Sequence, residues 1–130
     1  MARVRPILRH LLVCEEVVVE KNQISLLHLI LNIYSKGIAA YPLLFREICV
    51  FAALTEVRGQ GSFFLRLVQA DSDEEVFRSQ RRLHQFGDDP LKVHGMPFRI
   101  RNCLFPEMGL YYVQFWFNDI LLAHQDLFLR

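Results

Sequence analysis

The sequence predicts an all-β fold, an antiparallel sandwich of about eight strands with little helix. Three observations carry this. Runs of period-two apolar alternation recur along the chain. Short polar turns, two bearing glycine or proline and two built of Asp, Ser and Asn, separate them at Gly59-Gln60-Gly61, Gly87-Asp88-Asp89-Pro90, Asp71-Ser72-Asp73 and Asn118-Asp119. The runs are rich in phenylalanine (eleven in 130 residues) and β-branched side chains, which suit a pleated, half-buried surface.

In order, Leu8–Cys14 alternates loosely and continues toward Val17–Val19. Ile24–Tyr34 is apolar on both sides and fits either a strand or a helical stripe (Leu26, Leu29, Ile30, Ile33). Strand is the preferred reading, because Lys36-Gly37 and Pro42 bound the segment closely and its neighbours are strands. In Leu43–Val57, Ile48, Val50, Ala52 and Leu54 share one face, and Phe45, Cys49 and Phe51 the other. Phe63–Ala70 sets Phe63, Leu65 and Leu67 against Phe64, Arg66 and Val68. Val76–Phe86 reads as one polar, half-exposed strand, and Val93–Leu104 turns Phe98 and Ile100 inward, with Leu104 a further candidate for that face, and Arg99 and Arg101 outward. These connections are too short for the helices of a doubly wound α/β sheet, which leaves an Ig/C2-like sandwich.

The closing hairpin spans Leu104 to Leu129. Tyr111, Val113, Phe115 and Phe117 form one face of its first strand. A strict two-residue turn at Asn118-Asp119 places His124 and Asp126 on that face, whereas a three-residue connection, pairing Phe117 with Leu121, places Ala123, Leu127 and Leu129 there. Burying an unpartnered Asp costs several kcal/mol and each buried Leu contributes roughly 1.5–3 kcal/mol, so the three-residue connection is expected. Leu110, Tyr112, Gln114 and Trp116 then face the other way, flanked by Leu122 and His124.

The order VVVEKNQISLLHLI, a strand after Pro42 ending in a Gly-x-Gly hairpin, and LFPEMGLYYVQFWFND is similar to a family of small uncharacterised bacterial β-sandwich proteins known only as a domain of unknown function. The resemblance covers nearly the whole chain. It implies a sandwich and a bacterial cytoplasmic origin, and it brings no catalytic residues. The final turn departs from the family in lacking glycine after Asn118.

Length and composition suit one domain, residues 1–130. The chain is 52% hydrophobic and 22% charged with a net charge of only +1, so no global field draws it to nucleic acid or an anionic membrane. The basic start MARVRP mimics a leader peptide, but Arg9 and His10 interrupt the apolar stretch and no small-residue cleavage site follows. No uncharged run approaches the ~18 residues of a membrane span. Cys14, Cys49 and Cys103 are odd in number, widely spaced and set among apolar residues. They read as buried, reduced thiols in a cytoplasmic protein.

Motifs for phosphate loops, zinc hydrolysis, paired-cysteine redox or serine hydrolysis are absent from the sequence, and no cofactor or metal is expected. Asp71, Asp73, Glu74 and Glu75 could ligate calcium, but one cluster supplies few oxygens and a solvated turn is the preferred reading. His10, His28, His84, His94 and His124 are scattered over separate strands.

Two surfaces stand out. Arg78 and Arg82, with Arg99 and Arg101, would form a patch for an anionic partner if their strands were neighbours, although Glu74, Glu75, Asp88 and Asp89 balance it. Tyr112, Trp116 and Leu122 would form an interface, because strands apolar on both faces need cover beyond a two-layer core. The expected role is a non-enzymatic binding or scaffold module that engages a protein partner or itself as a homo-oligomer. The alternative is a small-molecule- or metal-dependent binding protein or enzyme with a site at the sandwich edge.

Overall fold

A computed structural model describes residues 6–130. The basic start discussed above lies almost wholly outside them. Strand accounts for 68% of the chain and helix for 2%, as the alternation predicts.

Among the described residues, ten strands form two sheets. They are β1 (Ile7–Glu20), β2 (Gln23–Leu29), β3 (Asn32–Ile33), β4 (Leu43–Thr55), β5 (Gln60–Gln69), β6 (Glu75–Arg78), β7 (Arg82–Gln85), β8 (His94–Phe105), β9 (Gly109–Phe117) and β10 (Ile120–Leu129). One sheet has the order β2-β1-β4-β8. The other runs β3-β10-β9-β5-β6, with β7 also on β5. All pairings are antiparallel except that of β3 with β10.

Alternation along each strand fills the space between the sheets. Val13, Ile48, Val50, Ala52, Leu54, Phe98 and Ile100 come from the first sheet, and Phe63, Leu65, Leu67, Val113, Phe115 and Phe117 from the second. Phe63 stacks on Phe115 at 5.8 Å and meets Phe98 edge-on at 5.9 Å, tying the layers together. The Tyr111 hydroxyl is buried, donates to the Glu107 carbonyl (2.7 Å) and accepts from the Glu107 N–H (3.2 Å), pinning the turn that opens β9. Burial pushes the phenol above its ordinary 10.0, although the bond to the Glu107 carbonyl opposes this.

Three segments differ from the sequence reading. Ile24–Tyr34 is extended, as preferred, but it is divided between the sheets. The Ile30 N–H makes the last bond to Val13, and the chain then crosses to β10, where the Arg130 N–H bonds the Ile33 carbonyl. The crossing buries Ile33 and packs the half-buried Ile30 against the core. Val76–Phe86 is two strands, because Ser79 interrupts the ladder. Its N–H bonds the Leu65 carbonyl (2.9 Å) and its Oγ accepts the Leu65 N–H (2.8 Å), so β5 spends one residue's backbone bonds on Ser79 alone.

The closing hairpin has a two-residue turn, not a three-residue connection. Asn118 and Asp119 both take left-handed φ (47° and 63°), the geometry whose twist matches the flanking strands, and Phe117 pairs with Ile120. A bulge at Leu122 then restores the expected phase, since Phe115 faces Ala123 and Tyr111 faces Leu127. Leu127 and Leu129 are buried and Asp126 is exposed. The energetic preference held, but a bulge rather than a longer turn satisfied it.

Among the described residues, β1 past Cys14 pairs only with β2, so this hairpin parts from β4 there. Ile24 reaches β8: its Cδ1 lies 2.9 Å from where a Cβ on Gly95 would sit, beside the Phe51 ring. Cys14 and Cys49, directly opposite each other in register, are buried in this region.

Candidate functional site

Of the predicted interface residues, Tyr112 and Trp116 do face outward on β9, opposite Asp126 and Leu121. Leu122 does not join them. As the bulged residue it packs against the core, and Leu121 takes the place beside Trp116.

The outer face around Trp116 is already covered. Trp116 stacks on Phe64 of β5 (5.8 Å, 6° between planes), and its Nε1–H donates to the buried Gln114 amide (3.0 Å). Arg78 and Arg81 lie over the Phe64 ring at 5.2 and 5.1 Å, leaving Phe64 only 6% exposed. Arg66 runs alongside, donating to Gln114, Glu75 and the Asp73 carbonyl. Carboxylates hold these cations in place: Glu75 on Arg66 (2.9 Å) and Arg78 (2.7 Å), Asp73 on Arg66 (3.8 Å) and Asp119 on Arg81 (2.7 Å). Three arginines meet three carboxylates, so the roof over the aromatics is neutral. Phe64 and Arg66 were legible as outward residues from the alternation of β5. Arg81 lies in the break between β6 and β7, where alternation says nothing.

The acidic loop is therefore occupied in this network. Asp73 takes left-handed φ (57°), Ser72 Oγ accepts the Glu74 N–H, and Asp73 and Glu75 point at arginine. Burial alone would push the Glu75 carboxyl up. The hydrogen bonds and charges of Arg78 and Arg66 outweigh it and hold the group below its ordinary 4.5. A carboxylate depressed on folding stabilises the native state above its unfolded value, and that stabilisation is lost as pH falls through the folded value. Glu75→Gln is expected to flatten the decline in melting temperature as pH drops below about 4.5, the ordinary carboxyl value. Parallel declines in wild type and variant would show that the pairing contributes nothing to stability.

The four arginines do not form the single expected patch. Arg78 and Arg82 belong to the sheet containing β5, and Arg99 and Arg101 to the sheet containing β4. Arg99 bonds Glu47 (2.8 Å), which also lies opposite Arg101 in register. Arg82 instead bridges the sheets at the sandwich edge. Its Nη1 donates to the Pro97 carbonyl (3.0 Å) and its guanidinium covers the Phe98 ring at 4.3 Å.

Beside Arg82 a cleft of about 480 Å³ opens between β7 and β8, lined by Phe63, Leu83, His84, Met96 and Pro97. His94 packs edge-on to Phe86 and His84 nearby, with its Nε2 buried and unpartnered. Burial pushes this imidazole below its ordinary 6.5, with the Lys92 and His84 charges adding to the effect and Asp89 opposing it.

A continuous exposed apolar segment lies at the opposite margin, where β2 crosses to β3 and on to the 3₁₀ turn Ile38–Ala40. Exposure rises from Leu27 (40%) through Leu29 (55%) and Leu31 (67%) to Tyr34 (76%) and Ile38 (82%). Among the described residues, β2 bonds only β1, so its other backbone edge is open.

The two long edge strands of this sheet differ sharply. β8 carries Pro97, whose carbonyl Arg82 occupies, the charged pair Arg99 and Arg101, and Asn102 at left-handed φ (55°). Each feature obstructs pairing with another strand. β2 reads QISLLHL, with no Lys, Arg, Asp, Glu or Pro.

No family model and no curated protein matches this chain. Among solved structures it is similar to the crystal structure of an immunoglobulin-like protein from Pseudomonas aeruginosa, at 13% identity and a TM-score of 0.36 over 100% of both chains. The sandwich assignment rests on the strand pairing itself. Among the described residues, no helix is long and apolar enough to cross a membrane.

Proposed function

We propose that this protein is a non-enzymatic binding module that engages a protein strand, in the first instance a second copy of itself, at the open edge of β2. The contrast between the two edges carries the reading. An edge strand presents unpaired N–H and C=O groups, and natural sandwiches defend such edges with charge, proline or bulges. β8 carries charge, a proline and the left-handed Asn102, and β2 has none of these except the left-handed His28 near its end. A strand added there completes main-chain hydrogen bonds, and the exposed Leu27, Leu29 and Leu31 supply apolar contact. In a closed two-fold dimer β2 meets its own copy antiparallel, with the axis near Leu26. The three cysteines, all free and buried, suit a reducing compartment such as the cytoplasm.

The expected result is a dimer by sedimentation at ~100 μM, well above the Kd of a stable interface. Leu27→Lys or Ser25→Pro should return it to a monomer with an unchanged β spectrum. Tyr112→Ser, on the roofed face, should leave the dimer intact. A wild-type monomer at that concentration overturns self-association, and loss of the dimer in Tyr112→Ser alone would move the interface to β9.

A second reading, a small ligand in the cleft beside Arg82, is favoured by the unpartnered His94 Nε2. It ranks lower because Arg82 is already committed to Pro97 and Phe98.

A further inference from the structure

We propose that Cys14 and Cys49 are a peroxide-sensitive thiol pair that closes reversibly into an intramolecular disulfide joining β1 to β4. Of the three cysteines, these two stand directly opposite each other on adjacent antiparallel strands. Opposed residues in such a ladder have Cα atoms roughly 4.5 or 5.5 Å apart according to their hydrogen bonding. Either spacing lies inside the range of about 4.4–6.8 Å that disulfides span. Cys103 is the internal contrast. It sits on β8 opposite Phe45, contributes to the core between the sheets, and has its thiol pushed by burial to about 11.

The reaction needs only an oxidant of the hydroperoxide class. One thiolate attacks a peroxide oxygen, the O–O bond breaks, and a sulfenic acid forms as water is released. The neighbouring thiolate then attacks that sulfur, the S–S bond forms, and the sulfenic oxygen leaves as a second water. Two thiols give up two electrons, and one hydrogen peroxide becomes two waters.

The surroundings make this a guarded pair. Cys14 is fully buried where the β1–β2 hairpin parts from β4, and its Sγ–H donates to the Glu16 carbonyl (3.4 Å). Burial raises the Cys14 thiol above its ordinary 9.0, and Cys49 adds to this. Thiolate is therefore scarce, and the oxidant must wait for the hairpin to open. Once formed, the bond would be strained, because opposed Cβ atoms lie about 4.5–5.5 Å apart where a relaxed disulfide wants about 3.8 Å. Strained disulfides are the readily reduced ones, which makes closure reversible by a thiol. The chain between the two cysteines holds β2, β3 and the crossover, so closure tethers both ends of that margin.

The test treats the full-length protein with hydrogen peroxide, followed by intact mass, denatured thiol counting and peptide mapping. The expected product has lost the mass of two hydrogens, retains one titratable thiol at Cys103, links the Cys14 and Cys49 peptides and reverts with dithiothreitol. Cys103→Ser should behave identically, and Cys14→Ser and Cys49→Ser should each abolish the link. Mapping on the wild type decides the matter even where a serine variant fails to fold. A bridge through Cys103, a bridge between chains, irreversible gain of oxygen at either cysteine, or three intact thiols after hairpin opening in mild urea would each overturn the proposal.

Discussion

Phe115→Ala is expected to remove about 3–5 kcal/mol of stability. Phe115 is fully buried at the centre of β9 and stacks on Phe63 within its own sheet. It also meets Phe98 of the opposite sheet edge-on at 6.4 Å. Truncation deletes both contacts and leaves a void that neither sheet can close alone, because β5 and β4 hold the neighbouring strands in register. A domain of this size has about 6–20 kcal/mol in total, so the variant should still fold but melt many degrees lower. Urea titration gives the midpoint, and an unchanged slope would show that the loss lies in the native packing. A loss below ~1.5 kcal/mol would mean that the ring does not couple the sheets.

That coupling was legible in the sequence, because alternation assigns Tyr111, Val113, Phe115 and Phe117 to one face without knowledge of the partner. The same logic placed Ile48 to Leu54, Phe63 to Leu67 and Phe98 to Ile100. Legibility ended where the backbone leaves the period-two pattern. The Leu122 bulge adds one residue to one strand and changes phase, and nothing in Ile120-Leu121-Leu122-Ala123 marks which residue is extra. The Ser79 break depends on a hydrogen bond to Leu65, fourteen positions earlier in the chain. Sheet membership is the deepest omission. Arg78 and Arg99 lie on strands of equal polarity, and only the strand order separates them. The candidate surface followed the same division. The outward aspect of Trp116 was readable, whereas its cover by Arg78 and Arg81 through Phe64 was not. Conversely, the doubly apolar Ile24–Tyr34 segment correctly signalled surplus apolar surface, and the structure leaves that surplus exposed on the segment itself.

Gly61→Ala is expected to destabilise the protein by about 1–3 kcal/mol, the usual effect of overpacking, although alanine normally suits a strand better than glycine. Gly61 lies in β5 opposite His84, in a conformation open to any residue. Space is the obstacle: an added Cβ would collide with Phe117 Cζ and sit 2.8 Å from Cε2. Phe117 is 6% exposed and packs on Phe86 at 5.8 Å, so its ring has little room to retreat. Alanine also reduces the freedom of the unfolded chain, worth about 0.4–1 kcal/mol in the other direction, and the clash is expected to exceed this. Gly95→Ala is the control. Its closest atom would be Ile24 Cδ1 at 2.9 Å, the end of a flexible side chain on a half-exposed residue, so the loss there should be smaller. A double-mutant cycle isolates the cause. Gly61→Ala combined with Phe117→Leu should cost less than the sum of the single changes, because the shorter side chain vacates the space that the new methyl needs. Strict additivity would move the effect away from Phe117, and a Gly61→Ala protein as stable as wild type would mean that β5 and β9 sit farther apart than their register implies.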